Sequence, residues 1–184
     1  MIDSVNFNVL PVVAVITVTV LLLLSLRVFA VVRQIRRRVG DAKSVRSAPL
    51  KTLAVLGSGG HTTEMLHLIK NLDPEHYAPL IYIIATTDTT SLQRVNTVEG
   101  RTADAIWRIP RSREVGQSYL TSVATTLYSF FHAFWIVLKI RPGLLLCNGP
   151  GTCLPIALVT LCFRVLGICE GKIVFVESFC RVTR

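Results

Sequence analysis

Residues 53–68 read Leu-Ala-Val-Leu-Gly-Ser-Gly-Gly-His-Thr-Thr-Glu-Met-Leu-His-Leu, so four apolar residues run directly into three glycines within four positions. A short continuous apolar run marks a strand buried on both faces. Thr62, Thr63 and Glu64 then open an apolar pattern of helical period, which reads as a helix N-terminus. The segment is therefore a strand, a tight turn and a helix start. Such a junction presents unpaired backbone N–H groups at the positive end of a helix dipole, and that attracts phosphate or diphosphate. Gly57, Ser58, Gly59, Gly60 and Thr62 are the candidate anion-binding residues, although a tight turn without a ligand uses the same glycines. The loop is not a dinucleotide fingerprint, which would need glycine at position 62, and it lacks the lysine of a P-loop.

The same alternation continues along the chain. Apolar runs predict strands at 51–56, 80–86, 104–109, 143–147 and 172–177. Helices are predicted at 62–72, 90–99, 117–139 and 153–167. Continuous strands alternating with helices imply an α/β domain, a Rossmann-like parallel sheet covered on both faces. Ligands bind such sheets at the carboxyl ends of the strands. Residues 50–184 suffice for one such domain. The run from Val115 to Leu138 is uncharged. It is read as a greasy crossover helix packed on the core, with contact of Phe130, Phe131, Phe134 and Trp135 with a membrane interface as the other reading. Spanning is disfavoured, since it would put the flanking parallel strands on opposite sides of a bilayer.

A second glycine turn follows the strand at 143–147, in Cys147-Asn-Gly-Pro-Gly-Thr-Cys. Asn148, Gly149, Gly151 and Thr152 can face the first loop and share one diphosphate with it, or they form a plain turn. His61 stands at the first helix N-terminus, where the dipole disfavours added positive charge. That suits a general base or a donor to a sugar hydroxyl, and equally a capping role. Glu177 ends the last strand at the same sheet edge and can accept from a sugar hydroxyl or simply bond a loop. Arg108, Arg111 and Arg113 cluster at the end of the third strand. They can meet a diphosphate or an anionic membrane surface, or remain solvated.

Residues 9–26 carry no charge, and Arg27 precedes another apolar stretch from Val28 to Val32. Roughly 20 residues at 1.5 Å each match a hydrocarbon core. A signal peptide fits less well, because the run is too long and no basic residue precedes it. Arg33, Arg36, Arg37, Arg38, Lys43 and Arg46 follow. The positive-inside rule then gives residues 1–8 in a lumen, 9–32 in the membrane, and 33–49 as a basic cytosolic linker. Residues 1–51 hold eight Lys and Arg against two Asp, which is +6 of the net +9. The basicity is thus largely a topology signal with some attraction to anionic lipid, and no nucleic-acid partner is expected. Cys147, Cys153, Cys162, Cys169 and Cys180 sit in apolar surroundings with no CxxC pair. They read as buried free thiols, with no zinc or other metal site.

Four motifs carry a family resemblance: Gly57-Ser-Gly-Gly-His-Thr-Thr-Glu, Ile109-Pro-Arg-Ser-Arg-Glu-Val-Gly-Gln, Cys147-Asn-Gly-Pro-Gly-Thr-Cys-Leu-Pro, and Val176-Glu-Ser-Phe-Cys-Arg-Val. In this order, behind one membrane anchor, they resemble the membrane-anchor subunit of the dolichol-pathway UDP-N-acetylglucosamine transferase, the asparagine-linked glycosylation fourteen family. That family is similar to the N-terminal, acceptor-side half of a GT-B glycosyltransferase. The resemblance implies a single-pass protein of the endoplasmic reticulum membrane whose domain is cytosolic. It implies a soluble catalytic partner that binds UDP-N-acetylglucosamine, dolichyl-diphosphate N-acetylglucosamine as acceptor, and no cofactor. The family continues beyond Val182 with a further helix, strand and terminal segment that finish the sheet and help hold the partner, so the domain is expected to be incomplete at its C-terminus. The competing reading is a stand-alone membrane-tethered Rossmann enzyme. Against it stand the broken fingerprint and the lack of a second half for the nucleotide sugar, although Asp88 after the second strand can meet a ribose.

Overall fold

A computed structural model describes residues 9–38, 48–97, 102–112, 117–149 and 151–177. Two units are distinct, residues 1–44 and 45–184. In the first, α1 spans Val9–Arg38, and its Val9–Arg36 stretch is long and apolar enough to cross a membrane. Thirty residues make a rod of about 45 Å, longer than a hydrocarbon core. Residues 33–38, expected to begin the linker, are instead the last turns of this helix. The basic side chains there carry no helix-breaking residue among them, so the helix simply continues past its apolar part.

The second unit runs β1 (Thr52–Leu56), α2 (Gly60–Lys70), β2 (Leu80–Ala85), α3 (Thr89–Thr97), β3 (Ala105–Ile109), α4 (Tyr119–Ile140), β4 (Leu144–Asn148), α5 (Cys153–Leu166) and β5 (Lys172–Val176). All strands are parallel, in the order β3-β2-β1-β4-β5. This is the expected α/β Rossmann-like sheet.

Why these runs form this sheet follows from the two-residue period of a strand. Leu53 and Val55 point into a core with α4 and α5, alongside Ile81, Ile83, Leu145 and Cys147. Ala54 and Leu56 point the other way, into a core with α2 alongside Tyr82, Ile84 and Leu146. Every residue of β1, β2 and β4 is buried, which is why these strands are near-continuous apolar runs rather than alternating, with the polar Thr52 and Asn148 only at their ends. The sheet order reverses between β1 and β4, so the loops leaving these two strands diverge to opposite faces and open a crevice at their carboxyl ends.

The long greasy helix is a crossover, as the parallel pairing of the strands on either side of it in one sheet requires. One stripe of α4 is buried through Ser129, Ala133, Ile136, Val137 and Ile140. Core packing explains only that stripe, because Val123, Leu127, Phe131, Phe134 and Trp135 lie on exposed positions. The cysteines correct one expectation. Cys147 and Cys153 are buried and Cys169 is half-buried, but Cys162 is exposed on α5, and Cys180 lies outside the described residues. Cys147 is held well above the usual thiol range by its hydrogen bond with Cys153 and by burial. It is a core thiol rather than a nucleophile.

Candidate functional site

The crevice at the switch point is lined by Gly57, Ser58 and His61 from the first loop, Asn148, Gly149, Gly151 and Thr152 from the second, and Arg111 after β3. Leu56, Ala85 and Asp88 complete its floor and wall. The two glycine loops thus meet across the β1–β4 boundary as their sequences anticipated. Arg111 brings a guanidinium to the same opening. Arg113 lies outside the described residues.

Backbone constraints show why glycine stands at particular positions. A Cβ on Gly57 would lie 2.8 Å from the Asn148 carbonyl oxygen and 3.0 Å from His61 Cβ, so the two loops touch backbone to backbone there. Gly59 turns the chain with φ of 66°, a conformation that L side chains rarely adopt. Gly149, with φ of 90°, lies under the His61 ring, whose Cδ2 would be 3.6 Å from an added Cβ. Gly60 and Gly151 differ: a Cβ on either would meet nothing within 4 Å.

The helix N-termini decide the electrostatics. In this unit α3 is capped, since Asp88 Oδ1 accepts from the Ser91 N–H at 2.9 Å. Helix α4 is capped by Ser118, whose Oγ accepts from the Thr121 N–H at 3.4 Å. Helices α2 and α5 begin at the crevice, and in neither does the N-cap residue, Gly59 or Thr152, cap the helix with a side-chain hydrogen bond. The two helices that the glycine loops lead into thus lack a side-chain N-cap, and their first-turn N–H groups are placed where a ligand can meet them. An anion between them would face two positive dipole ends and Arg111.

Several side chains hold this arrangement. Asn148 is buried, and its Nδ2 donates to the His61 carbonyl at 3.3 Å and to Glu64 Oε2 at 3.2 Å. Its amide thus ties the second loop to α2. The same Glu64 oxygen is 3.9 Å from His61 Nδ1. The Ser112 hydroxyl donates to the Gly151 carbonyl, while Thr125 and Thr126 each donate to the Ser112 carbonyl at 3.0 Å. That chain of bonds connects α4 to the second loop and sets the neighbouring Arg111 at the opening. His61 keeps 40% of its side-chain surface exposed, so the ring can still meet a ligand.

Several sequence-predicted site residues take other places: Gly59, Gly60 and Arg108, the last within β3, are not among the residues lining the crevice. Thr62 is fully buried, and its hydroxyl donates to the Gly57 carbonyl, so it braces the loop from behind instead of facing the crevice. Glu177 is exposed just after the outer strand β5 and is not among the residues lining the crevice. Asp88 does line it, but both carboxylate oxygens are engaged by Ser91, at 2.9 Å from its N–H and 2.6 Å from its hydroxyl. A ribose-binding role therefore does not suit it. Reading the sequence missed Glu64, Ser112, Ser91 and Arg94. Only the Asp88-Thr-Thr-Ser91 spacing of a capped helix was there to be noticed.

The crevice holds about 100 Å³, small beside the roughly 300–1,000 Å³ of a site that encloses a ligand by itself. It can seat a phosphate or diphosphate, with an imidazole beside it to take a proton from a neighbouring hydroxyl.

Residues 52–184 match the family described as "Oligosaccharide biosynthesis protein Alg14 like". The "UDP-N-acetylglucosamine transferase subunit ALG14" of Mus musculus is 46% identical over 144 residues, which cover 72% of this chain and 66% of that protein. Its Homo sapiens namesake is 47% identical over 143 residues, again 72% and 66%. The Candida albicans protein of the same name is 37% identical over 183 residues, 98% of this chain and 80% of its own length. The chain thus spans 66% of the length of its mouse and human relatives.

Proposed function

Because the chain belongs to the Alg14 family of oligosaccharide biosynthesis proteins, we propose that it is the membrane-anchored, acceptor-side subunit of a UDP-N-acetylglucosamine transferase. On this reading a separate soluble subunit binds UDP-N-acetylglucosamine, and the pair forms a split GT-B enzyme on the cytosolic face of the endoplasmic reticulum. The acceptor is dolichyl-diphosphate N-acetylglucosamine, which receives the second N-acetylglucosamine of the lipid-linked oligosaccharide. The observation that carries the proposal is the crevice bordered by Arg111 and by two helix N-termini that lack a side-chain N-cap. It has the charge for a diphosphate but too little volume to enclose a donor as well.

The chemistry follows from that division. The acceptor diphosphate lies between the N-termini of α2 and α5, and the acceptor sugar extends toward the partner's donor. Its hydroxyl oxygen attacks the anomeric carbon of the donor sugar, the bond from that carbon to the UDP oxygen breaks, and the configuration inverts. The hydroxyl proton passes to a base, for which His61 is the candidate in this chain. Holding two large substrates in line is the larger part of such catalysis. Helix α1 keeps the domain at the bilayer where the lipid acceptor resides, and the exposed apolar face of α4 suits a domain kept close to lipid.

Purified chain alone should neither bind UDP-N-acetylglucosamine nor transfer sugar, and transfer should appear when the soluble subunit is added. Robust transfer by the chain alone would refute the split-enzyme reading. Topology offers a second check. Protease added outside sealed microsomes should digest residues 50–184, whereas full protection of that region would place the domain in the lumen.

A further inference from the structure

We infer that α3 is a clamp that aims the first glycine loop at its ligand, with Arg94 as the positioning residue. This rests on the acceptor-side reading above and goes beyond it to a helix that lies behind the crevice. Arg94 Nη1 donates to the Gly59 carbonyl at 2.5 Å and to Thr63 Oγ1 at 2.6 Å. Three residues earlier, Ser91 Oγ lies 3.0 Å from the Gly57 carbonyl and 2.6 Å from Thr62 Oγ1. Thr62 itself donates to the Gly57 carbonyl. Asp88 fixes Ser91 through both its N–H and its hydroxyl. Thr62 and Ser91 are fully buried and Asp88 is nearly so.

The consequence comes from peptide planarity. In a trans peptide the C=O and the following N–H point in opposite directions. The Gly57 and Gly59 carbonyls are held toward α3 and the start of α2. The N–H groups of Ser58 and Gly60 are therefore turned the other way, as donors for an anion. A glycine loop has little stiffness of its own, and α2 has no side-chain cap to order its first turn. The clamp supplies that order. It acts at one remove, since Arg94 does not line the crevice. The carbonyl of Gly59 bonded to a guanidinium is a charge-assisted pair, among the stronger hydrogen bonds available.

The test compares wild type, Arg94→Ala, Arg94→Gln and Arg94→Lys as full chains assembled with the soluble subunit. Arg94→Ala should raise the KM for a polyprenyl-diphosphate N-acetylglucosamine acceptor about tenfold, as expected on losing a hydrogen bond from a charged group. The KM for UDP-N-acetylglucosamine should stay within about twofold, because that substrate does not meet the loop. Arg94→Lys should recover most of the acceptor affinity, and Arg94→Gln, a shorter neutral donor, should fall between Lys and Ala. An unchanged acceptor KM in Arg94→Ala, beside active wild type, overturns the clamp and leaves the acceptor-side reading intact. An equal loss for both substrates, unrescued by Lys or Gln, also overturns it. Hydrogen exchange of the full chain in detergent reads the clamp without any activity. Amides of residues 57–63 should exchange about tenfold faster in Arg94→Ala with residues 52–56 unchanged, and identical exchange in the loop refutes the proposal even if wild type shows no transfer.

Discussion

Gly60→Val should lower transfer by the assembled enzyme at least about a hundredfold while leaving the chain folded, since displacing a reactant by about an ångström costs that much. The sequence alone left two reasons for glycine at this position, a positive φ or a ligand at close range. The fold removes the first. Gly60 is the first residue of α2 and has no left-handed conformation, and an added Cβ meets nothing within 4 Å. Valine is also a better helix former than glycine, so the melting temperature should stay within about 3 °C of wild type. Any loss must then come from a group that approaches the loop from outside. Gly57→Ala is the contrasting variant. Its Cβ would stand 2.8 Å from the Asn148 carbonyl oxygen, so it should separate the two loops and destabilise the domain. Unchanged turnover in a folded Gly60→Val enzyme would place the diphosphate elsewhere.

His61→Ala should cost the assembled enzyme on the order of a hundredfold in turnover, within the roughly 10²–10⁴ that a general base contributes. The ring lies over Gly149 with its Nδ1 3.9 Å from Glu64 Oε2, while Asn148 bonds the His61 backbone carbonyl. Removing the imidazole leaves that backbone carbonyl as an acceptor for Asn148. Recruitment of the soluble subunit to membranes should be unaffected, which separates a chemical role from an assembly role. A turnover within about threefold of wild type, far below the contribution of a base, would assign His61 to packing against the second loop. The proton acceptor would then be sought in the partner or at Glu177, whose exposed position after β5 can reach a site only if a second subunit lies against that edge.

What the sequence determined by itself was whatever has a local cause. Continuous apolar runs required strands buried on both faces, and the glycines punctuated them. The nine elements among the described residues of the second unit therefore appear within two residues of their expected bounds. The apolar stretch from Val9 marked α1 for the same reason, although local pattern could not show that the helix runs on to Arg38. The two glycine loops were legible as phosphate-type turns because their chemistry is written in consecutive residues.

Tertiary structure decided everything that depends on which side chains meet. Thr62 reads like a loop ligand but turns inward to the Gly57 carbonyl, and Asp88 reads like a ribose partner but caps α3. Asn148 ties the second loop to residues 84 and 87 positions away in the chain, and Arg94 reaches back 35 positions to Gly59. Periodicity carries no record of such pairs, because the bonds exist only once a parallel sheet has brought the ends of β1, β2 and β4 together. The exposed side of α4 shows the same limit. Its composition announced a greasy helix, but only packing against the sheet determined that Ala133, Ile136 and Val137 are buried while Phe131 and Trp135 remain outside.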